Sequence, residues 1–175
     1  MTGYDSAKAA VLLFVAAIVQ ISILSGMTIF HGRLQLLLIT VVAVSLLRGA
    51  VFGAMAGFCA GLVADTGVFG MLGFTSLLLT LAGYWTGRYG ETTGRDRAHA
   101  PLLSVAVVTV LYQLGALMLH FMLGQAAPAR LVLLDSLAPT VFLNVLLTWP
   151  VYALVRRVLR RPEWSERTQE VRLLG

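Results

Sequence analysis

The sequence predicts an all-α integral membrane protein with six transmembrane helices in a compact bundle. Three observations lead there. Hydrophobic residues make up 58% of the 175-residue chain and charged residues 12%, against about 45–50% and about 25% in a soluble domain. The apolar residues gather into runs near the roughly 20 residues that cross a hydrocarbon core about 30 Å thick. The cations then fall almost wholly on alternate connections between those runs. A mean hydropathy of +0.86 excludes a disordered chain. The single cysteine, Cys59, excludes an internal disulfide framework and a cysteine-cluster metal site.

The first span covers about 8–24. Lys8 alone makes a weak basic leader and no small-residue cleavage site follows, so the segment is expected to stay attached as a helix. Gly26, His31, Gly32 and Arg33 mark the turn after it. The stretch 34–64 carries one charge, Arg48. As a single helix it would be about 46 Å long, with Arg48 near the bilayer centre at a cost of roughly 2.5–3.5 kcal/mol. A break at Arg48-Gly49 gives two short spans instead, about 34–47 and 49–65, and brings Arg48 to the interface. The fourth span covers about 71–87 and ends in Tyr84, Trp85 and Tyr89, an interfacial aromatic cluster. The polar segment 88–100 (RYGETTGRDRAHA) separates it from the fifth, about 101–123. Gly124, Pro128 and Arg130 precede the sixth, about 131–155, which has Trp149 and Tyr152 near its end. Residues 1–161 thus form one membrane domain, followed by a short cytoplasmic tail, 162–175.

Orientation follows from charge. With six spans and both termini inside, Lys8 and ten arginines (48, 88, 95, 97, 156, 157, 160, 161, 167 and 172) are cytoplasmic, and only Arg33 and Arg130 lie outside. A five-span alternative gives ten against two and buries Arg48. Both obey the positive-inside rule, so length and Arg48 decide the span count.

Gly49, Gly53, Gly57 and Gly61 stand four apart on the third span, with Ala56, Ala60 and Ala64 in a second row. Such a bare ridge permits close helix approach, which in lipid replaces the hydrophobic drive that acts in water. The ridge either packs within the bundle or docks a partner helix or a second copy of the chain. Asp65 follows where this span leaves the membrane, ahead of Gly67, Gly70 and Gly73. Its carboxylate either organises that turn or serves a partner or a cavity.

Two ionisable groups, His120 and Asp135, are placed at similar depth on antiparallel helices. A charge-assisted contact between them is one reading. The other is an Asp135 carboxylate favoured by a helix N-terminus and a neutral His120 bonded to a neighbouring helix. Thr109, Gln113, Ala116 and His120 share an arc of about 60° on the fifth helix. Ser136, Thr140, Asn144, Thr148 and Tyr152 recur every four residues on the sixth and drift around it. These groups join helices or line a polar cavity.

Chemistry is absent. No nucleophile–base pair, metal constellation or phosphate loop appears, so neither catalysis, cofactor nor metal is expected. The basic end, Arg156, Arg157, Arg160 and Arg161, suits topology and attraction to anionic lipid. It lacks any element for reading nucleic acid.

Taken in order, Arg48-Gly49 with Gly53, Gly57-x-x-x-Gly61-Leu62-x-x-Asp65, Gly73, Gly83-Tyr84, and a last helix with Asn144 and an arginine-rich end resemble the rod shape-determining protein MreD family. The resemblance covers nearly the whole chain. It implies a non-catalytic scaffold in the bacterial cytoplasmic membrane that serves lateral peptidoglycan synthesis and cell shape. It also implies binding to the single-span protein MreC, and through it to MreB, RodA and a class B penicillin-binding protein. The family fold is similar to the substrate-binding subunits of energy-coupling-factor transporters, so a vitamin-binding subunit is the alternative. Those subunits commonly carry an A-x-x-x-A row on the first helix, and Ala7, Ala9, Ala10, Ala16 and Ala17 lack that spacing.

Overall fold

Ten consecutive residues, from Leu37 to Leu46, are buried. They lie on one short helix around which the other helices gather. The computed structural model describes residues 3–24, 28–29, 32–68, 73–93, 100–122, 124 and 137–159. Among these the chain forms six α-helices: α1 (Gly3–Val19), α2 (Leu36–Arg48), α3 (Ala50–Val68), α4 (Phe74–Thr93), α5 (Ala100–Met122) and α6 (Leu137–Leu159). A π-helical turn, Gln20–Leu24, continues α1. A ladder of two-residue strands, β1 (Thr28–Ile29) and β2 (Gly32–Arg33), pairs Thr28 with Arg33 and Ile29 with Gly32. The small ladder is an addition to the all-helical expectation.

The 34–64 run is two helices. The helical hydrogen bonds of α2 reach Gly49, whose N–H donates to the Ser45 carbonyl, and Gly49 then turns with φ at +97°. That backbone region costs a residue with a Cβ about 1–2 kcal/mol, so glycine serves the break. Arg48 stays half-buried at the end of α2, with its guanidinium carbon 6.0 Å from the centre of the Phe52 ring, a cation–π distance.

Helix α2 packs against all five other helices. Its 13 residues span about 20 Å, short of a bilayer core, and Thr40 and Ser45 fold their hydroxyls back onto the Leu36 and Val41 carbonyls. Helices α3, α5 and α6 are long and apolar enough to cross a membrane; α2 and the apolar part of α1 are shorter. The outward faces carry large apolar side chains, among them Val51, Met55, Phe121, Phe142, Leu146 and Trp149. An apolar exterior around buried Thr, Ser and Asn reverses the pattern of a water-soluble bundle.

Several boundaries differ from expectation. Helix α4 runs on to Thr93 rather than ending near 87. The chain RYGETT contains no helix breaker other than Gly90, and Arg88 and Glu91 form an i,i+3 ion pair at 3.7 Å on its surface. Helix α6 runs to Leu159, past 155, although it contains Pro150. Segments 94–99 and 125–136 and the tail 160–175 lie outside the described residues.

Candidate functional site

The four-residue glycine ridge of α3 faces α4. A methyl group built on Gly53 would strike the Gly83 carbonyl and the Ser45 side chain. On Gly57 it would strike the Leu79 carbonyl, and on Gly61 the backbone of Ser76. The contact is reciprocal, because a methyl on Gly83 would fall on the Gly53 carbonyl and one on Gly87 on Ala50. The two helices run antiparallel in direct backbone contact, with Gly83 and Gly87 supplying the second half of the zip. Close approach of this kind gains dispersion contacts that larger side chains would forbid. Gly83 and Gly87 repeat the same i, i+4 spacing on α4.

Asp65, buried at the end of α3, fastens the other end of this pair. One carboxylate oxygen accepts the N–H groups of Gly73 at 2.8 Å and Ser76 at 3.2 Å. The other accepts that of Thr75 at 3.2 Å. These are the orphan amides that begin α4, so the acid caps a helix other than its own and sits at that helix's positive end. Gly73 reaches the carboxylate with φ at +94°, and nothing lies within 4 Å of where its Cβ would be. The Ser76 hydroxyl adds a bond of 3.0 Å to the Phe58 carbonyl of α3.

Two more helix starts are capped from a distance. The Ala50 N–H, which opens α3, donates to the Glu91 carboxylate of α4 at 2.9 Å. The side chain of Gln35, before α2, makes no cap of its own. Instead the Leu36 N–H donates to the Gln20 side-chain oxygen at 2.7 Å, and the Gln35 N–H to that of Asn144 at 3.1 Å. The Gln20 amide also donates to the Leu34 carbonyl at 2.9 Å. The π-helical turn opens at this Gln20, and π turns frequently mark positions with a specific task. Glu91 and Gln20 were not anticipated. Their partners lie 41 and 16 positions away, and no local spacing announces such a cap.

Asn144 is fully buried and joins three helices. Its amide donates to the Thr109 hydroxyl of α5 at 3.2 Å, and its own carbonyl accepts the Thr148 hydroxyl at 2.6 Å. Thr140, Asn144 and Thr148 are all buried, then Val155 and Leu159. A drift of about 40° per four-residue step keeps the first three within about 80°, one inward face. Tyr152 falls at its edge, half-buried. Gln113 lies half-buried on α5. His120 belongs to α5, but its side chain lies outside the described residues, as do Asp135, Arg160 and Arg161; the suggested His120–Asp135 pair falls there. Arg156 and Arg157 are exposed in the last turn of α6, where cations suit the helix dipole.

Among the described residues no group of three or more His, Cys, Asp and Glu side chains could hold a metal. The Asp65 carboxylate and the amides of Gln20 and Asn144 are engaged with backbone ends and neighbouring helices, whereas the Gln35 side-chain oxygen is buried without a hydrogen-bond partner. Fold and site together define a multi-helix membrane protein whose buried polar groups hold its own helices in place. The chain belongs to the rod shape-determining protein MreD family, which it matches over residues 8–161. It is 32% identical over 90 residues to the cell shape-determining protein MreD of Streptococcus pneumoniae (strain ATCC BAA-255 / R6), across 51% of this chain and 54% of that one. The chain thus spans about half the length of the curated relative it matches. No solved structure matches it.

The close pair predicts a graded response. Gly57→Leu should cost about 3 kcal/mol or more by forcing α3 from α4. Gly73→Ala, with open space around its Cβ, should cost only about 1–2 kcal/mol of backbone strain. Detergent-to-SDS titration followed by far-ultraviolet circular dichroism checks the order, and equal losses would contradict backbone contact at Gly57. By the same measurement Asp65→Asn and Asn144→Leu should each cost about 1–3 kcal/mol through abandoned buried donors. Thr66→Ala, one residue past the cap and exposed, should stay within about 0.5 kcal/mol of the parent.

Proposed function

We propose that this protein is a non-catalytic scaffold of the bacterial elongation machinery. It lies in the cytoplasmic membrane with six spans and both termini inside, and it helps control lateral peptidoglycan synthesis and cell shape. It binds MreC and through it acts with MreB, RodA and a class B penicillin-binding protein. The family match carries this reading. The engagement of Asp65, Gln20 and Asn144 in helix fastening supports it, because a scaffold needs a fixed arrangement. The orientation draws support from the Gln35–Asn144 bond. Arg48 and Arg157 each lie 13 residues, about 20 Å of helix, beyond it, so α2 and α6 running side by side bring their arginines to one depth, as the positive-inside bias requires. Packing of the glycine ridge on α4 directs any partner or second copy to a face other than that ridge.

Depletion in a rod-shaped host should round the cells. Affinity capture of the tagged protein from gently solubilised membranes should recover a single-span wall protein. Unchanged rods after depletion, with no such protein recovered, would overturn the reading. Single cysteines at positions 2 and 170, in a Cys59→Ser background, should both resist a membrane-impermeant maleimide in intact spheroplasts. Labelling of either would overturn the six-span orientation.

A further inference from the structure

We infer that the cleft between α4 and α5 holds one acyl chain of a phospholipid whose phosphate sits at Arg88. The cleft offers about 560 Å³ between Leu78, Ala82, Trp85 and Tyr89 on α4 and Val107 and Leu111 on α5; its lining is almost wholly apolar, and it is open on the outer side where Trp85, Val107 and Leu111 are exposed. At the level of Leu78 the two helices meet, with that side chain packed directly on Gly115. From Leu78 to Tyr89 is about 16 Å of helix, so the cleft is an elongated groove running along the two helices. A flexible hydrocarbon chain follows such a narrow apolar groove along its length, and the charge at one end of the groove favours a lipid over a partner's helix.

The lining also decides against water. Buried water needs two to four polar partners. The Thr86 hydroxyl is already bonded to the Ala82 carbonyl at 2.7 Å, which leaves Ser104 and the tyrosines as a thin set. An unfilled apolar cleft would forfeit dispersion contacts along both walls.

The polar end of the occupant follows from charge. Trp85 and Tyr89 stand at the end of the cleft away from Leu78, and Arg88 lies between them in the chain with its side chain 60% exposed. Its ion pair with Glu91, at 3.7 Å and with both partners exposed, is worth little and leaves most of the five guanidinium donors open to a phosphate. Aromatic side chains and a cation at one end of an apolar channel reproduce the profile of a lipid entering from that leaflet. The inference needs the chain to lie in a membrane but not the scaffold role, and its readout uses the isolated protein.

Native mass spectrometry of the detergent-purified full chain tests it, with phosphatidylglycerol and phosphatidylcholine of identical acyl chains added back in turn. The parent should keep one phosphatidylglycerol at a collision energy that strips all others. Ala82→Phe, which fills the cleft floor, should lower that retained fraction at least fivefold. Val107→Trp, on the exposed wall, should do the same and replaces Ala82→Phe if that variant loses helical circular dichroism. Arg88→Gln should abolish the preference for phosphatidylglycerol while leaving chain binding. Leu146→Phe, on the outward face of α6, should change neither. Equal retention in the parent and a folded cleft variant overturns the acyl-chain site, and an unchanged preference in Arg88→Gln overturns the phosphate position. Unchanged lipid retention with altered self-association or lost capture of a single-span protein would assign the cleft to a helix and overturn the proposal.

Discussion

The first amides of an α-helix have no partner within their own helix, and a hydrocarbon medium supplies none from solvent. That constraint organises this molecule. Helices α2, α3 and α4 each begin with backbone that is buried or half-buried within the protein, and each has amides met by a side chain from another element: Gln20 and Asn144 for α2, Glu91 for α3, Asp65 for α4. A local serine or aspartate cap would satisfy the amides and leave the helices free to slide. A cap borne by a neighbour satisfies them only when the neighbour stands at one height and rotation, so a local requirement becomes a tertiary one.

The α3–α4 pair shows how the constraint combines with packing. The glycine zip fixes the separation of the two helices and does little to fix their register along the axis, because a smooth ridge slides on a smooth ridge. Glu91 at one end, bonded to Ala50, and Asp65 at the other, bonded to Gly73, Thr75 and Ser76, set that register. Small residues bring the backbones together and two carboxylates pin the ends.

Much of this was legible in the sequence. The apolar composition and run lengths pointed to membrane helices, and the cost of placing Arg48 mid-bilayer pointed to the break at Gly49. The α3 glycine row announced a close contact through spacing alone. What spacing could not reveal was which surface met it, since Gly83 and Gly87 lie on another helix. The length of α4 escaped because Arg88, Glu91 and the threonines read as loop by polarity, whereas Arg88 and Glu91 are good helix formers and Glu91 is held by the Ala50 amide. The role of Glu91 then escaped with it. Asn144 was visible as a buried amide, but Gln35 and Thr109 share no local pattern with it.

The bond between Gln35 and Asn144 bears on how the molecule is made. These residues are 109 positions apart, and the helix that depends on the bond is both the shortest and the most enclosed. A chain emerging from the ribosome offers α2 to the bilayer long before α6 exists. Until that last helix arrives, α2 is too short to span comfortably and its leading amides lack one of their two acceptors. The start of the second helix therefore gains both of its acceptors only once the last helix has been made.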